Sequence, residues 1–388
     1  MTRLRAAWLT SEAAQTVMAA LSVEGARVCF VGGCVRNALL GAPVSDLDIA
    51  TNARPEAVMR LAEAAGLKTV PTGIDHGTVT VLAGGVPFEV TTFRRDVSTD
   101  GRRATVAFSD SLEEDALRRD FTMNALYVGP DGEIVDPVGG LADLAIRRFR
   151  FIGEADQRIR EDYLRILRLF RFHAQYGDQA AGLDPAALAA VARNRAGLAA
   201  ISRERIRAEL AKLLLTPDPM PAIRAMEDTG VLEEVLPGAE TTVLARLIDI
   251  EGDAPPRWIR RLAALGGGDR SETLRLSRVE ARAADTLTAA EAGATDPAAV
   301  AYRAGADLGT DAALLALARG RDPGLDWPAR VHRAASAVFP VAARDLSPTI
   351  PPGPALGEAL RRLEARWIAS DFSLERSDLL ALAASVED

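Results

Sequence analysis

An α+β head followed by an all-helical remainder is the fold class this sequence predicts, and three observations predict it. Strand signals, meaning short apolar runs and apolar–polar alternation, are confined to roughly the first 150 residues. Beyond them the chain is rich in Ala, Leu and Arg, with apolar residues at helical spacing and breaks at Gly, Pro or Asp. The 388 residues, 48% of them hydrophobic, also exceed what one core holds, since cores stop growing near ~250–300 residues. Aromatic residues are only 5%, so cores of Leu, Ala, Val and Ile are expected.

The elements follow in order. RVCFV at 27–31 reads as a short buried strand running into a tight turn at Gly32-Gly33. VRNALLG is a short helix closed by Gly41, and VSDLDIA at 44–50 alternates as a strand. NARPEAVMRLAEAAG is a helix with Pro55 in its first turn and Gly66 past its end. TVTVLAG and VPFEVTTF, joined at Gly84-Gly85, form a β-hairpin. Residues 94–109 are charged without pattern and read as a mobile loop. Ser111 and Glu114 predict a capping box for a helix running SLEEDALRRDFTMNAL, and Asp131-Gly132 turns a further hairpin. Helices are then expected at 155–176, 184–194, 202–215 and 219–229, followed by others broken at Gly266–Gly268, Asp322-Pro323 and Pro348–Pro354.

Composition excludes several classes. No stretch reaches the ~18 uninterrupted apolar residues of a membrane span. The basic and then apolar N-terminus suggests a signal peptide, but Glu12 and Gln15 interrupt it and the spacing fits an amphipathic helix. A cytoplasmic location is expected. The two cysteines, Cys29 and Cys34, suit a reducing compartment and rule out a disulfide scaffold or four-cysteine zinc site. The three histidines, His76, His173 and His332, leave little room for a multi-histidine metal centre. A net charge of −8 argues mildly against indiscriminate nucleic-acid binding. Residues 1–215, however, balance 27 basic against 27 acidic side chains, so a local basic groove remains open there.

Asp46 and Asp48 are two apart in the strand at 44–50, which points both carboxylates to one face. Glu89 sits in another strand between Phe88 and Val90, which point inward. Three carboxylates on one face repel one another unless cations lie between them, and two Mg²⁺ ions are the natural answer for phosphoryl transfer. Alone, a D-x-D pair reads more readily as a solvated strand face. It is not alone, because Gly32-Gly33 lies upstream between a strand and a helix. There backbone N–H groups and a helix N-terminus favour phosphate, and Arg36 is near enough to add a charge.

The order VGGCVRNALLG…SDLDIAT resembles the signature of the class II tRNA nucleotidyltransferase and bacterial poly(A) polymerase family, within the polymerase-β-like nucleotidyltransferases. The likeness continues through GIDHGTVTV, FEVTTFR, LRRDFTMNALY, DPVGGLADL and EDYLRILRLFRF, with a weaker echo in GPALGEALRRLEARWIASDF. It implies a polymerase-β-like catalytic head with a small mixed sheet at 1–152. It also implies a helical neck with a base-recognition helix at 153–235, and a helical, tRNA-binding body and tail at 236–388. One departure stands out: where the family has Asp after the Val-Arg pair, Asn37 keeps the acceptor oxygen and loses the charge.

LRRDFTMNAL places Arg118, Arg119, Asp120 and Asn124 on one expected helix, with Asp120 and Asn124 a turn apart. Without the resemblance this reads as a capped helix with ion pairs. With it, the segment selects ribose over deoxyribose, Arg119 suiting a phosphate or ribose and Asp120 a ribose hydroxyl. In EDYLRILRLFRF, Asp162 and Arg165 are three apart on a helix and together offer acceptors and donors like the edge of a base. Arg168 and Arg171 continue at the same spacing. In isolation an amphipathic helix with surface ion pairs is the simpler reading, whereas the resemblance implies recognition of CTP or ATP without a nucleic-acid template. It also makes residues 94–110, with Arg94-Arg95 and Arg102-Arg103, similar to the family's flexible loop. His76 is expected to orient a strand or carboxylate, and Cys29 and Cys34 to act as small buried hydrophobes.

The resemblance therefore implies a CCA-adding tRNA nucleotidyltransferase using CTP, ATP and two Mg²⁺ ions on the tRNA 3′ end. Asp46, Asp48 and Glu89 would be its catalytic, metal-holding residues. Gly32, Gly33, Arg36, Arg119, Asp120 and Asn124 would serve triphosphate and ribose, and Asp162, Arg165, Arg168 and Arg171 the base pocket. Arg257, Arg260 and Arg261, with Arg361, Arg362 and Arg366, are expected on tRNA phosphates or, equally, as solvated helix faces. The rivals are an enzyme adding only CC or only A, a poly(A) polymerase, a small-molecule adenylyltransferase and an inactive RNA-binding scaffold. No His-Asp pair of the kind an added phosphohydrolase domain uses is present, and neither a membrane nor a protein partner is implied.

Overall fold

In a computed structural model the chain forms two compact units, Met1–Pro237 and Gly238–Asp388. The structure describes residues 3–23, 25–99, 104–291, 293, 295–347 and 350–384; Arg102, Arg103 and Pro348 fall outside them.

The first unit opens with α1 (Glu12–Leu21), β1 (Val28–Val31), α2 (Gly33–Leu40), β2 (Leu47–Thr51) and α3 (Pro55–Ala64). Next come β3 (Lys68–Gly73), β4 (Thr78–Ala83), β5 (Val86–Thr92), β6 (Arg94–Thr99) and β7 (Ala104–Phe108). α4 (Leu112–Leu117), β8 (Tyr127–Val128), β9 (Ile134–Val135) and α5 (Gly140–Ala145) follow. Seven strands form one mixed sheet in the order β3-β4-β5-β2-β1-β8-β9. Only β2 and β5 run parallel in it, and that pairing sets Asp48 beside Glu89 in register. Alternation decides which faces are buried: Val79, Val81, Phe88 and Val90 lie inside while Glu89 points out. At the N-terminus, α1 is the expected amphipathic helix, with Ala14, Val17, Met18 and Leu21 buried.

Three expectations about this region fail, each for a local reason. Residues 94–99 and 104–108 are not patternless, because β6 and β7 pair antiparallel; the rest of that stretch lies outside the described residues. The helix begun at Ser111 stops at Leu117 instead of running on to 126. Its continuation bonds to a neighbouring segment: Phe121 bridges Phe151, Thr122 N–H donates to the Arg150 carbonyl, and Ile152 N–H to that of Asp120. Only a short 3₁₀ turn, Thr122–Asn124, remains helical. The capping box is half formed. Ser111 Oγ accepts from Glu114 N–H at 3.3 Å, but the Glu114 carboxylate is engaged by Ser109, and Ser109 Oγ also takes the Ser111 N–H.

The remainder of the unit is helical: α6 (Ala155–Glu161), α7 (Leu164–Tyr176), α8 (Pro185–Asn194), α9 (Arg203–Leu214), α10 (Met220–Asp228) and α11 (Val231–Val235). The expected helix at 155–176 is two, since Asp162 is extended (φ −152°, ψ 106°) and its carboxylate receives the Leu164 N–H. Phe121 and Phe149 pack against Phe172 of α7, Phe149 also against Tyr176, and Phe151 against Phe121, with the Phe149 and Phe172 rings stacked at 5.4 Å. This shared aromatic core holds the sheet region and α7 in one unit.

The second unit holds α12 (Thr241–Glu251), α13 (Trp258–Leu265), α14 (Arg270–Thr273), α15 (Arg278–Glu291) and α16 (Pro297–Ala304). α17 (Ala306–Ala318), α18 (Trp327–Ser336), α19 (Ala343–Leu346), α20 (Pro354–Ala369) and α21 (Arg376–Ala384) complete it. Its C-terminal part packs Leu356, Leu363 and Leu379 around Trp367, which meets Phe372 edge-on at 5.0 Å. No helix among the described residues is long and apolar enough to cross a membrane.

Candidate active site

The site begins where β1 ends. Gly32 has φ +75°, a conformation a side chain resists, and a Cβ there would stand 3.5 Å from Arg119 Nη1. Glycine thus lets the chain turn sharply into α2, whose N-terminus opens beside the carboxylates. Asp46 does not lie in the strand as expected: it precedes β2, exposed, and accepts a 2.9 Å bond from Ser45 Oγ. Asp48 is in β2 and half-buried, with Glu89 opposite. Burial pushes the Asp48 carboxyl up to about 6, and the charges of Glu89 and Asp46 push the same way, against Arg119.

Such a donor set suits a hard divalent cation, because negative oxygens held close together are stabilised by positive charge between them. Among the described residues no three acidic, histidine or cysteine side chains close into a ready-made metal cage.

Behind the turn lies a network that sequence spacing did not reveal. Arg36 is buried, and its Nε and Nη2 donate to Asn37 Oδ1 at 3.1 and 2.8 Å while Nη1 donates to Asn124 Oδ1. The Asn37 amide in turn donates to the Pro43 carbonyl at 2.7 Å. Asparagine therefore holds the arginine without a charge. The Arg36 guanidinium also lies 4.9 and 4.3 Å from the ring centroids of Phe172 and Tyr176. Arg119 is held by Asp115 at 3.0 Å and by Tyr127 Oη at 3.1 Å; Arg119 and Arg118, the latter 2.7 Å from Asp115, keep the Asp115 carboxyl far below the usual range despite its burial.

Asp120 corrects the expectation of a ribose contact. Its Oδ1 accepts from Phe121 N–H and Asn124 Nδ2 at 2.8 and 3.0 Å, and its Oδ2 from Arg168 Nε and Nη2 at 2.7 and 2.6 Å. All four lone-pair directions of the carboxylate are taken. Asp120 therefore orients Asn124 and Arg168, and through Asn124 it orients Arg36.

The side chains of Asp162 and Arg165 are not bonded to one another, nor do the residues share a helix; what joins them is the Arg165 N–H donating to the Asp162 carbonyl at 3.0 Å. Asp162 receives Arg205 Nη2 at 2.8 Å. Arg165 donates to Glu161 at 2.7 Å and to the Arg158 and Arg118 carbonyls at 2.9 Å. Arg171 is buried and paired with Glu209 at 2.6 Å. Arg205 and Glu209, both on α9, are partners that reading α7 alone could not supply.

A cleft of about 470 Å³ opens in this unit. Gly33, Arg36, Asp46 and Asp48 line one side, and Arg171, Gln175, Tyr176 and Lys212 another; Asp162, Arg165, Arg119 and Glu89 do not line it. His76 is exposed, with its carbonyl accepting from Arg94. Cys29 and Cys34 are buried thiols, pushed up to about 11 and about 12 mainly by desolvation, and so inert at neutral pH.

In the second unit the expected phosphate-binding cluster divides. Arg260 and Arg261 are buried at 1% and 3% exposure and bound to Glu251, with Arg260 also on Asp311. They are core charges and not a phosphate surface. Arg257 is joined to Asp307 and Asp311, whereas Arg361, Arg362 and Arg366 of α20 are exposed.

Comparison with known proteins agrees with this geometry. Residues 28–150 match a family described as the poly A polymerase head domain, and 182–242 one described as the probable RNA and SrmB-binding site of polymerase A. The chain is 34% identical to a CCA-adding enzyme of Limosilactobacillus fermentum, over 97% of each chain. It is 40% identical to the mitochondrial CCA tRNA nucleotidyltransferase 1 of Mus musculus, over 58% of this chain and 52% of the other. Against several such curated relatives the matched region spans about half of their length. The crystal structure of a Bacillus stearothermophilus CCA-adding enzyme in complex with CTP superposes with a TM-score of 0.78 at 31% identity, over 97% of each chain.

Proposed function

Since this chain belongs to the tRNA nucleotidyltransferase and poly(A) polymerase family, among its CCA-adding members, we propose that it adds C, C and A to tRNA 3′ ends from CTP and ATP. The observation that carries this reading is the Asp48–Glu89 register pair with Asp46 alongside, set beside the glycine turn that opens α2. The 3′-hydroxyl attacks the α-phosphate in line and pyrophosphate leaves. Asp46, Asp48 and Glu89 would hold two Mg²⁺ ions, whose chemistry when bound is to acidify the attacking hydroxyl and neutralise the leaving phosphates. The Gly32 N–H is spent on the Leu126 carbonyl at 3.2 Å, so Gly32 serves by its turn, and the Gly33 N–H and the α2 N-terminus are left to receive triphosphate oxygens. Arg119, fixed by Asp115 and Tyr127, presents its guanidinium at the same turn. Arg36 and Asn124, held through Asp120, support the ribose side.

Asp162 and Arg165 read the base. Each is anchored by other partners, so the pair is preorganised before nucleotide arrives. Arg168, fixed by Asp120, and Arg171, fixed by Glu209, follow Arg165 along α7 and complete that side of the pocket. Residues 1–152 act as head, 153–235 as neck and 236–388 as the tRNA-binding body and tail of a cytoplasmic enzyme.

The test uses purified protein, Mg²⁺ and a tRNA transcript ending at its discriminator base, with CTP, ATP or both, followed by 3′-end sequencing. Two C's from CTP and one further A with both nucleotides are expected. Long A tails from ATP alone identify a poly(A) polymerase, and a stop at CC with both identifies a partial enzyme. Arg165→Ala should lower the preference for the correct over the incorrect nucleotide at least about tenfold in kcat/KM. Unchanged selectivity in a variant that melts normally would refute the base-reading role.

A further inference from the structure

Two substrates must meet at Asp46 and Asp48, and the preceding reading seats one of them, the nucleotide, on the glycine turn. The cleft has another wall that this reading leaves unused. Gln175 lies in the last turn of α7, Tyr176 ends that helix, and Lys212 lies in the last turn of α9. α7 and α9 run alongside one another, with Asp162 bonded to Arg205 at their starts and Arg171 to Glu209 further along, and their C-terminal ends line the same cleft.

The basic groups of this cleft differ in what they already do. Arg171 is spent on Glu209, and Arg36 is bound to Asn37 and Asn124 and covered by Phe172 and Tyr176. Lys212 is exposed, and among the described residues it has no ion pair or hydrogen bond; the exposed Gln175 amide likewise has no partner. A lysine without a counter-ion, in a cleft shared with two carboxylates, suits a polyanion whose reacting end has to approach those carboxylates. Tyr176, backed by Arg36, adds aromatic surface for an unpaired base.

We propose that Lys212 and Gln175 form the acceptor-strand subsite, binding the sugar–phosphate backbone of the single-stranded RNA 3′ end opposite the nucleotide. This rests on the nucleotidyltransferase reading above. Lys212 grips a phosphate as a mobile point charge, and Gln175 donates to a neighbouring phosphate or ribose oxygen. The contact carries no base information, so it serves the C and A additions alike.

The experiment measures binding of a fluorescent acceptor-stem hairpin with a single-stranded 3′ CC overhang, without nucleotide, across a salt series. Lys212→Met should weaken binding about three- to tenfold at low salt and reduce the slope of log K against log salt by about 0.7, one single-strand phosphate contact. A blunt-ended hairpin should bind wild type and variant equally. Lys212→Arg should restore the slope, and KM for CTP should not move. Unchanged slope and affinity, an equal loss on the blunt hairpin, or a raised KM for CTP with RNA binding intact would each overturn the assignment. Extension of the overhang by the wild-type protein separates the two readings. If it extends RNA while Lys212→Met binds normally, only the subsite fails; if it extends no RNA, the proposed nucleotidyl transfer fails as well.

Discussion

Asp48→Ala is expected to reduce nucleotidyl transfer at least about a thousandfold, about 4 kcal/mol in the barrier, while RNA is still retained. No neighbour can replace this carboxylate. Asp46 lies outside the strand and is exposed, and Glu89 is on the adjacent strand. Single-turnover assays with saturating CTP isolate the step, and transfer within tenfold of wild type would remove Asp48 from the mechanism. The electrostatics supply a second readout that needs no activity. Asp48 is raised from 3.8 to about 6 by burial and by the charges of Glu89 and Asp46. A raised carboxyl favours the folded state below its unfolded pKa, and that contribution disappears as pH rises through the folded value. In EDTA, wild-type stability should therefore fall between about pH 4 and pH 6–7 relative to Asp48→Asn. The difference is on the order of 1–2 kcal/mol after discounting for solvent at this half-open position. Mg²⁺ should narrow that gap. A melting profile in EDTA that is parallel for the two proteins would contradict the raised Asp48 carboxyl.

Arg260→Met is expected to cost the second unit about 3–5 kcal/mol, because breaking a buried ion pair strands its partner. Arg260 donates to Glu251 at 2.6 Å, to Asp311 at 2.8 Å and to the Pro255 carbonyl at 3.0 Å, at 1% exposure. Asp311 is fully buried, and desolvation raises its carboxyl even with Arg257 and Arg260 beside it. A fall of roughly 6–20 °C in the melting of this unit should follow. The loss should shrink toward acid pH, where Asp311 protonates and no longer needs its cation. Arg260→Met with Asp311→Leu should lose less than Arg260→Met alone, since Glu251 keeps Arg261 and Arg257 keeps Asp307. A variant of normal stability that binds tRNA more weakly would instead return Arg260 to the phosphate surface.

What the sequence by itself determined is local. Gly32 must stand where the chain turns at positive φ, and Gly41 where α2 ends, because backbone sterics leave few alternatives. Alternation through Val79, Val81, Phe88 and Val90 turned Glu89 outward, and the short parallel pairing set it beside Asp48. The candidate carboxylates and the glycine turn were therefore legible from a handful of residues. Tertiary structure decided which charges are free. Helical spacing made Asp120 and Asn124 neighbours, and they are bonded, yet no helix joins them, since Phe121 pairs with Phe151 and the backbone follows that bridge.

The same spacing paired Asp162 with Arg165, whose actual partners are Arg205 and Glu161. It left Arg260 and Arg261 looking like a phosphate-binding or solvated face, whereas both are buried on Glu251, and Arg260 also on Asp311. A periodic pattern states which side of a helix a charge occupies. It carries no information about which distant element covers that side, and desolvation and pairing, the terms that separate a structural arginine from an available lysine, depend on that cover.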